Sequence, residues 1–394
     1  MPSHRPPSLP EPDAASAAHS ERVAAFIREH IDIAGGSISF AEFMHHALYA
    51  PGLGYYTSGS AKFGEEGDFV TAPEVSAVFG RVVARQCADV LAQFDGGAIL
   101  EYGAGSGKLA VDMLEALAEL DALPSAYRIL EVSPDLVERQ QACVSERVPG
   151  LAHLVEWIDT VPDALRGVIV ANEVLDSMPV ERFVRREAGV MQLRVAVDDR
   201  GFRYLEAPAP DNLAHTVAVI EKDLGRRLPD GYLSEVCLAT APWIGGLSHT
   251  LREGIAFLFD YGVARREYFA RDRSRGWLRC HFRHHAHDDP FVLPGIQDMT
   301  AWVDFSGVAN AAAAQGLDVV GYTSQAQFLI AGGLDAVLAD FTSRATAEQM
   351  ELSRQVKTLT LPGEMGERFK CIALGKGIIE RPGAFGLADR THTL

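Results

Sequence analysis

Several acids in this 394-residue chain stand where they could act together. Glu101 in "AILEYG", Glu131 in "YRILEVS" and Asp159 in "LVEWID" each close a short apolar run of strand type. Further on, "VIVANEVLDSMP" ends a fourth such run with Asn172, Glu173 and Asp176 ahead of Pro179. An isolated acid at a strand end is ordinarily only solvated. Acids on successive strand ends share one rim of a parallel sheet, where open α/β sheets bind ligands.

Between the first strand and its helix lies "LEYGAGSGKLA", with Gly103, Gly105 and Gly107 at alternate positions. Glycines there permit a tight turn and let a ligand approach the main chain. Two phosphate-binding patterns fail. A dinucleotide fingerprint needs glycine where Lys108 stands, and a Walker loop needs four residues before its Gly-Lys pair and Ser or Thr after it. What remains is Glu-x-Gly-x-Gly-x-Gly, which suits a phosphate-free nucleoside with a charged amino-acid arm. Glu101 would attract its ammonium or sulfonium, Glu131 would accept from both ribose hydroxyls, and Asp159 from an adenine amino group. Val132, beside Glu131, joins these contacts. The expected ligand is S-adenosylmethionine, with S-adenosylhomocysteine as product and no metal.

A methyl donor must meet its acceptor in line, so acceptor groups belong just past the fourth strand. Asn172 is expected on the cofactor side; Glu173 and Asp176 are the candidate catalytic residues. Two carboxylates there suit a cationic acceptor, best a guanidinium, whose planar fork pairs bidentately with carboxylate. The simpler alternative is that Asn172 and Asp176 only cap the following turn.

Positioning these residues requires a scaffold of alternating strands and helices. From Gly97 the chain reads strand, helix ("LAVDMLEALAEL"), strand, helix ("PDLVERQQACVSERV"), strand, strand, which predicts a parallel doubly wound sheet. "IAFLFDYG", "LDVVGYTSQAQFLI" and "ERFKCIALGKG" supply three more strands, seven in all. Residues 1–20 read as a disordered lead-in and 21–95 as a helical segment with a cofactor-covering lid. The core is expected at 96–180 and 251–380, an insertion at 181–250 and a tail at 381–394. The insertion reads as antiparallel strands turning at Asp199–Gly201, then helices to about Arg252. "DMTAWVDF" is expected as a helix, and Thr71 with Glu74 as a capping box for the helix that follows.

The motifs "GDFVTAPEVSAVFG", "LEYGAGSG", "LEVSP", "ANEVLDSMPVERF", "FLFDYG", "DMTAWVDF" and "EMGERFKCIALGK", in that order, resemble the MidA-like family. That family includes the mitochondrial complex I assembly factor 7 type of protein-arginine methyltransferase and bacterial relatives. The resemblance runs from about Glu21 to Lys376. It implies a class I, Rossmann-like fold and methylation of a protein arginine, in mitochondrial members on a complex I subunit. It also implies that Phe69 covers the adenosyl group, that Thr71 and Glu74 face the methionine arm, and that the segment 62–80 acts as a lid. In one respect the chain departs from the family: Tyr102, Ala104 and Ser106 fill places where Leu, Pro and Arg are common.

Other features have plainer alternatives. "CHFRHHAHDDP" matches no metal-ligand spacing; it is expected as a polar loop near the substrate mouth, with His285 as a contact. Asp260 in "FLFDYG" and Tyr55 are the other substrate-side candidates; Asp260 is equally a structural residue, and Tyr55 reads more simply as a wall residue. A net charge of −17 argues against nucleic acid, whose binding requires Lys and Arg to neutralise phosphates. No apolar run reaches membrane-spanning length. The five scattered cysteines read as reduced, in a cytoplasmic protein. A small-molecule N- or O-methyltransferase, and a cofactor-binding assembly chaperone without turnover, are the competing functions.

Overall fold

A computed structural model describes residues 9–58, 71–94, 96–378 and 380–394. Helix α1 (Ala14–Ile33), strand β1 (Ser37–Ser39) and α2 (Phe40–Tyr49) come first, then α3 (Ala72–Val75) and α4 (Ala77–Leu91). Next are β2 (Ala98–Tyr102), α5 (Lys108–Glu119), β3 (Tyr127–Leu130), α6 (Pro134–Arg147), β4 (Val155–Ile158) and β5 (Leu165–Asn172). They are followed by β6 (Glu181–Arg186), β7 (Gly189–Asp198), β8 (Gly201–Pro208), α7 (Asp211–Leu224), β9 (Leu233–Val236), α8 (Thr240–Thr250) and β10 (Leu251–Val263). A three-stranded sheet uses β11 (Leu278–Phe282), β12 (His285–His287) and β13 (Asp298–Ala301), and the last core strands are β14 (Asp318–Ser324) and β15 (Phe369–Lys376).

The path of the main sheet runs through seven strands in the order β14-β15-β10-β5-β2-β3-β4. The run from β10 to β4 is parallel, and β15 is antiparallel to both its neighbours. All seven are the strands expected from the apolar runs, in a class I methyltransferase arrangement. The chain leaves β2 towards β3 and β4 on one side and returns to β5 and β10 on the other, so the topological switch lies beside β2. The central strands are buried on both faces: β5 reads Val168, Ile169, Val170 and Ala171, and β10 reads Ile255 to Phe259, each at most 2 % exposed. Helices cover both faces, as a sheet of apolar runs demands.

The chain divides into two compact units. One comprises Val70–Val174, Ala241–Val263 and Phe305–Leu394 and holds the main sheet; the other comprises Met1–Phe69, Leu175–Thr240 and Ala264–Asp304. In the second unit β1 pairs with β7, so the N-terminal helices share a core with the insertion, through Phe40, Phe43, Val195 and Met299 among others. The segment 264–304, expected within the sheet core, groups with that unit too.

Several local expectations are corrected. Helix α1 starts at Ala14 rather than near Glu21, because Asp13 caps it by accepting from Ser16 N at 2.9 Å and an alanine-rich turn follows. The Thr71–Glu74 capping box does not form: Thr71 makes no side-chain cap. Ser76, extended at φ −165°, interrupts the helix and caps α4 instead, accepting from Val78 N at 3.3 Å. Strand β9 breaks the expected helical run before Arg252 and pairs with β6. "DMTAWVDF" opens as strand β13, and after β14 the chain turns helical over Gln325–Ala331. "CHFRHHAHDDP" is a hairpin, not a loop, with Cys280 opposite His287 and Phe282 opposite His285. Arg283 and His284 form its turn at φ 48° and 63°, so no glycine signals it.

Candidate active site

Strand β2 delivers the glycine loop. Its five residues are buried, and the chain then turns through Gly103, Gly105 and Gly107 at φ 64°, 54° and 85°. Left-handed backbone at three alternate positions needs glycine. Lys108, the loop's one cation, is held by Asp112 at 2.7 Å, so its charge is neutralised within α5 rather than presented to a phosphate. Ser106 donates from its hydroxyl to Glu74, which ties the segment ahead of α4 to this loop.

The expected acids line the carboxyl ends of adjacent strands. Glu101 on β2 is 2 % exposed and accepts from the Tyr127 hydroxyl at 2.7 Å. Burial pushes its carboxyl up to about 7; the Tyr127 bond works against that rise and the Glu131 charge adds to it. Glu131 follows β3. Its Oε1 accepts from Val132 N at 2.9 Å and Ser133 N at 3.0 Å, and its Oε2 from Gln140 Nε2 at 2.9 Å. With both lone pairs of Oε1 engaged, contact with a diol would fall to Oε2. Val132 beside it is 67 % exposed, a bare apolar face suited to a flat ring. Asp159, just past β4, is exposed and accepts from the Thr160 hydroxyl at 3.3 Å.

At the end of β5, Asn172 Nδ2 donates to Glu173 Oε1 at 3.2 Å, which fixes the amide's orientation. Its Oδ1 is buried with no hydrogen-bond partner among the described residues. An orphaned acceptor of this kind costs about 1–3 kcal/mol, a cost removed by a ligand donor. Glu173 adopts φ 54°, held by its N–H donating to Phe259 O at 2.9 Å. A glutamate in left-handed backbone carries strain of about 1–2 kcal/mol, and such strain gathers at functional sites. Asp260, at the neighbouring end of β10, is 1 % exposed and accepts from Tyr261 N at 2.9 Å.

The remaining candidates fall elsewhere. Phe69, and residues 62–70 of the expected lid, lie outside the described residues; Thr71 is half-buried at the start of α3. Asp176, Tyr55 and His285 belong to the other unit. There Asp176 is 3 % exposed, its carbonyl accepting from Ala301 N, and Tyr55 is buried edge-on to Tyr56 at 5.1 Å. In the same unit Tyr56 donates to Asp298 Oδ1 at 2.7 Å and Tyr49 to the Ser177 hydroxyl at 3.0 Å. Burial, then the charges of Asp298 and Asp176 among others, hold the Tyr56 phenol far above its ordinary range. His285 is exposed on β12, its Nδ1 donating to Arg283 O at 2.7 Å. Among the described residues no group of three or more His, Cys, Asp or Glu is placed to hold a metal.

Sequence reasoning passed over Gln140, Tyr127 and Asp298. Gln140 did leave a signal: it stands four residues from both Leu136 and Val144, on the buried face of α6. A polar residue on an apolar face needs buried partners.

The left-handed glycines, the neutralised lysine, the exposed Val132 and the orphaned Asn172 oxygen fit a phosphate-free nucleoside with donor groups, as S-adenosylmethionine is. Comparison with known proteins supports that cofactor. Residues 82–323 match the family described as S-adenosyl-L-methionine-dependent methyltransferases. A solved Burkholderia thailandensis protein bound to S-adenosyl-homocysteine is 41% identical and superposes with a TM-score of 0.92 over 98% of this chain and 100% of its own. The mitochondrial protein arginine methyltransferase NDUFAF7 of Danio rerio is 30% identical over 86% of this chain and 83% of its own. The Homo sapiens protein of that name is 29% identical over 86% and 80%. The chain is thus an S-adenosylmethionine-dependent methyltransferase, and it belongs to the MidA-like family.

Proposed function

We propose that the chain methylates an arginine side chain of a protein, with Glu173 as the carboxylate that receives the guanidinium. The observation that supports this most is the strained Glu173 at the carboxyl end of β5, its side chain fixed by the Asn172 amide. A carboxylate so held matches the paired N–H donors of a guanidinium fork. The relatives that are protein arginine methyltransferases point the same way.

When bound, the cofactor supplies an electrophilic methyl group on a sulfonium. The chain's part is orientation. A guanidinium has a pKa above about 12, so a general base contributes little to the rate. Glu173 would localise the positive charge on the nitrogens it pairs with, leaving the third more nucleophilic and aimed; that nitrogen would gain the methyl as the carbon–sulfur bond breaks to a neutral thioether, and its proton would leave late. Fixing such geometry is a large source of rate on its own. Asp176 keeps its proposed catalytic part on the Asn-Glu-x-x-Asp motif alone. Glu101, Glu131, Asp159 and the glycine loop are proposed to hold the cofactor. Asp260 and His285 are proposed to contact substrate, and Tyr55 to serve as a wall. The finer proposals are a respiratory complex I subunit as acceptor, from the family resemblance, and a cytoplasmic site of action, supported by five cysteines that form no disulfide.

The test is Glu173→Gln. The variant is expected to bind S-adenosylhomocysteine within about threefold of wild type, since uniform cofactor binding is untouched, while methyl transfer falls at least about 100-fold. Labelled cofactor, extract from cells lacking the gene, and amino-acid analysis of the hydrolysate identify the product. Label in a small metabolite favours the small-molecule enzyme, and binding without transfer favours the chaperone. Retained turnover in the variant overturns the role of Glu173.

A further inference from the structure

We infer that Gln140 is a positioning residue for the adenosyl ribose, setting Glu131 and the glycine loop in the geometry that receives it. This rests on the proposal that Glu131 grips the ribose. Gln140 lies on α6, is 0 % exposed, and reaches three separate elements with one side chain. Its Nε2 donates to Glu131 Oε2 at 2.9 Å, after β3, and to Gly105 O at 3.0 Å, in the loop. Its Oε1 accepts from Trp157 Nε1 at 3.0 Å, on β4. The backbone of the same residue abuts the loop's last glycine, where a Cβ on Gly107 would stand 3.1 Å from Gln140 Cα.

The partners dictate the orientation of the amide. A carboxylate and a carbonyl both need donors, and an indole N–H needs an acceptor. Turning the amide over would set oxygen against both acceptors and NH₂ against the indole N–H. One rotamer therefore satisfies all three partners, and the alternative satisfies none. Glu131 inherits this rigidity. Val132 N and Ser133 N hold its Oε1, Gln140 holds its Oε2, and the carboxylate cannot swing without breaking bonds to charge, which are the stronger kind. Gly105 O, pinned by the same NH₂, keeps the loop at its left-handed φ of 54°. Trp157 thereby acts on the ribose contact through Gln140, although it stands on a different strand from Glu131.

Isothermal titration of the full chain with S-adenosylhomocysteine and with its 2′,3′-dideoxy analogue tests this. Gln140→Met keeps the length of the side chain and removes its three hydrogen bonds. It is expected to weaken S-adenosylhomocysteine by about 10-fold or more, the size of a lost bond to a charged group. The dideoxy analogue, which has no diol to grip, should lose less than about twofold. In a Glu131→Ala background Gln140→Met should cost clearly less than it does in wild type, leaving only the part that acts through Gly105, since coupled residues are not additive. Trp157→Phe removes the hold on the amide oxygen while leaving both acceptors of its NH₂, and should show the same ligand-selective pattern more weakly, which keeps the test informative if Gln140→Met unfolds. Equal losses for the two ligands, or no loss for either, overturn the positioning role. If Glu131→Ala itself leaves S-adenosylhomocysteine binding unchanged, the ribose reading of Glu131 fails first and takes the role of Gln140 with it.

Discussion

Glu101 brings the physics of burial and of ligand binding to one atom group. Its carboxyl is pushed up to about 7 from 4.5, chiefly by burial. In acid both folded and unfolded states hold the proton, so the residue is neutral to stability. As pH rises from about 4.5 to about 7 the unfolded chain loses it first, and the folded state is progressively disfavoured, by up to about 3 kcal/mol. Above about 7 the effect levels off. Glu101→Gln keeps an acceptor for Tyr127 and removes the titration. Urea unfolding at about pH 5 and about pH 8 should therefore show a smaller loss of stability with pH in the variant than in wild type. If Glu101 meets the ammonium or sulfonium of the cofactor, binding near pH 6 must expel its proton. The titration enthalpy should then depend on the buffer's ionisation enthalpy in wild type and not in Glu101→Gln. A buffer-independent enthalpy in wild type would mean that binding moves no proton at Glu101.

At the scale of elements, the two helix starts ahead of the glycine loop show where sequence reading worked and where it stopped. The Thr-x-x-Glu pattern at Thr71 and Glu74 is a fair capping box on paper. In the fold Ser76 caps α4 and its hydroxyl also donates to Gln355 Oε1 at 2.7 Å, a partner 279 residues away. Ser76→Ala should cost about 1 kcal/mol or more by denaturant unfolding, and Thr71→Ala less than about 0.5. The reverse order would reinstate the box. The core strands were legible because β2, β5 and the middle of β10 are nearly continuous apolar runs and the rest are short apolar-rich segments spaced among helical patterns, and the acids at their ends were legible by position alone. The hairpin at Arg283–His284 was not, since its left-handed turn uses no glycine. Nor was β9, four residues long between helices. Glu173 was singled out by its neighbours in sequence; that its backbone is strained is a property of the closed chain, which no local pattern encodes.

For the molecule as a whole, a net charge of −17 acts over distances that no single contact covers. Charges on the surface attract a basic partner within about a Debye length, near 8 Å at physiological salt, and added salt screens that attraction. S-adenosylhomocysteine, a zwitterion without net charge, feels little of it. A protein segment presenting arginine feels all of it, chiefly in the rate of encounter. The initial rate of methyl transfer at low acceptor concentration should fall severalfold between about 50 and about 300 mM salt, while the dissociation constant of S-adenosylhomocysteine shifts less than about twofold. The pair of slopes separates the acceptor from the cofactor without knowing the acceptor's identity, because both are read on the same enzyme in the same buffers. Parallel slopes would mean that salt acts on the fold or on the cofactor site. A flat rate would mean that the acceptor carries no net positive charge, and would return the small-molecule methyltransferase to first place.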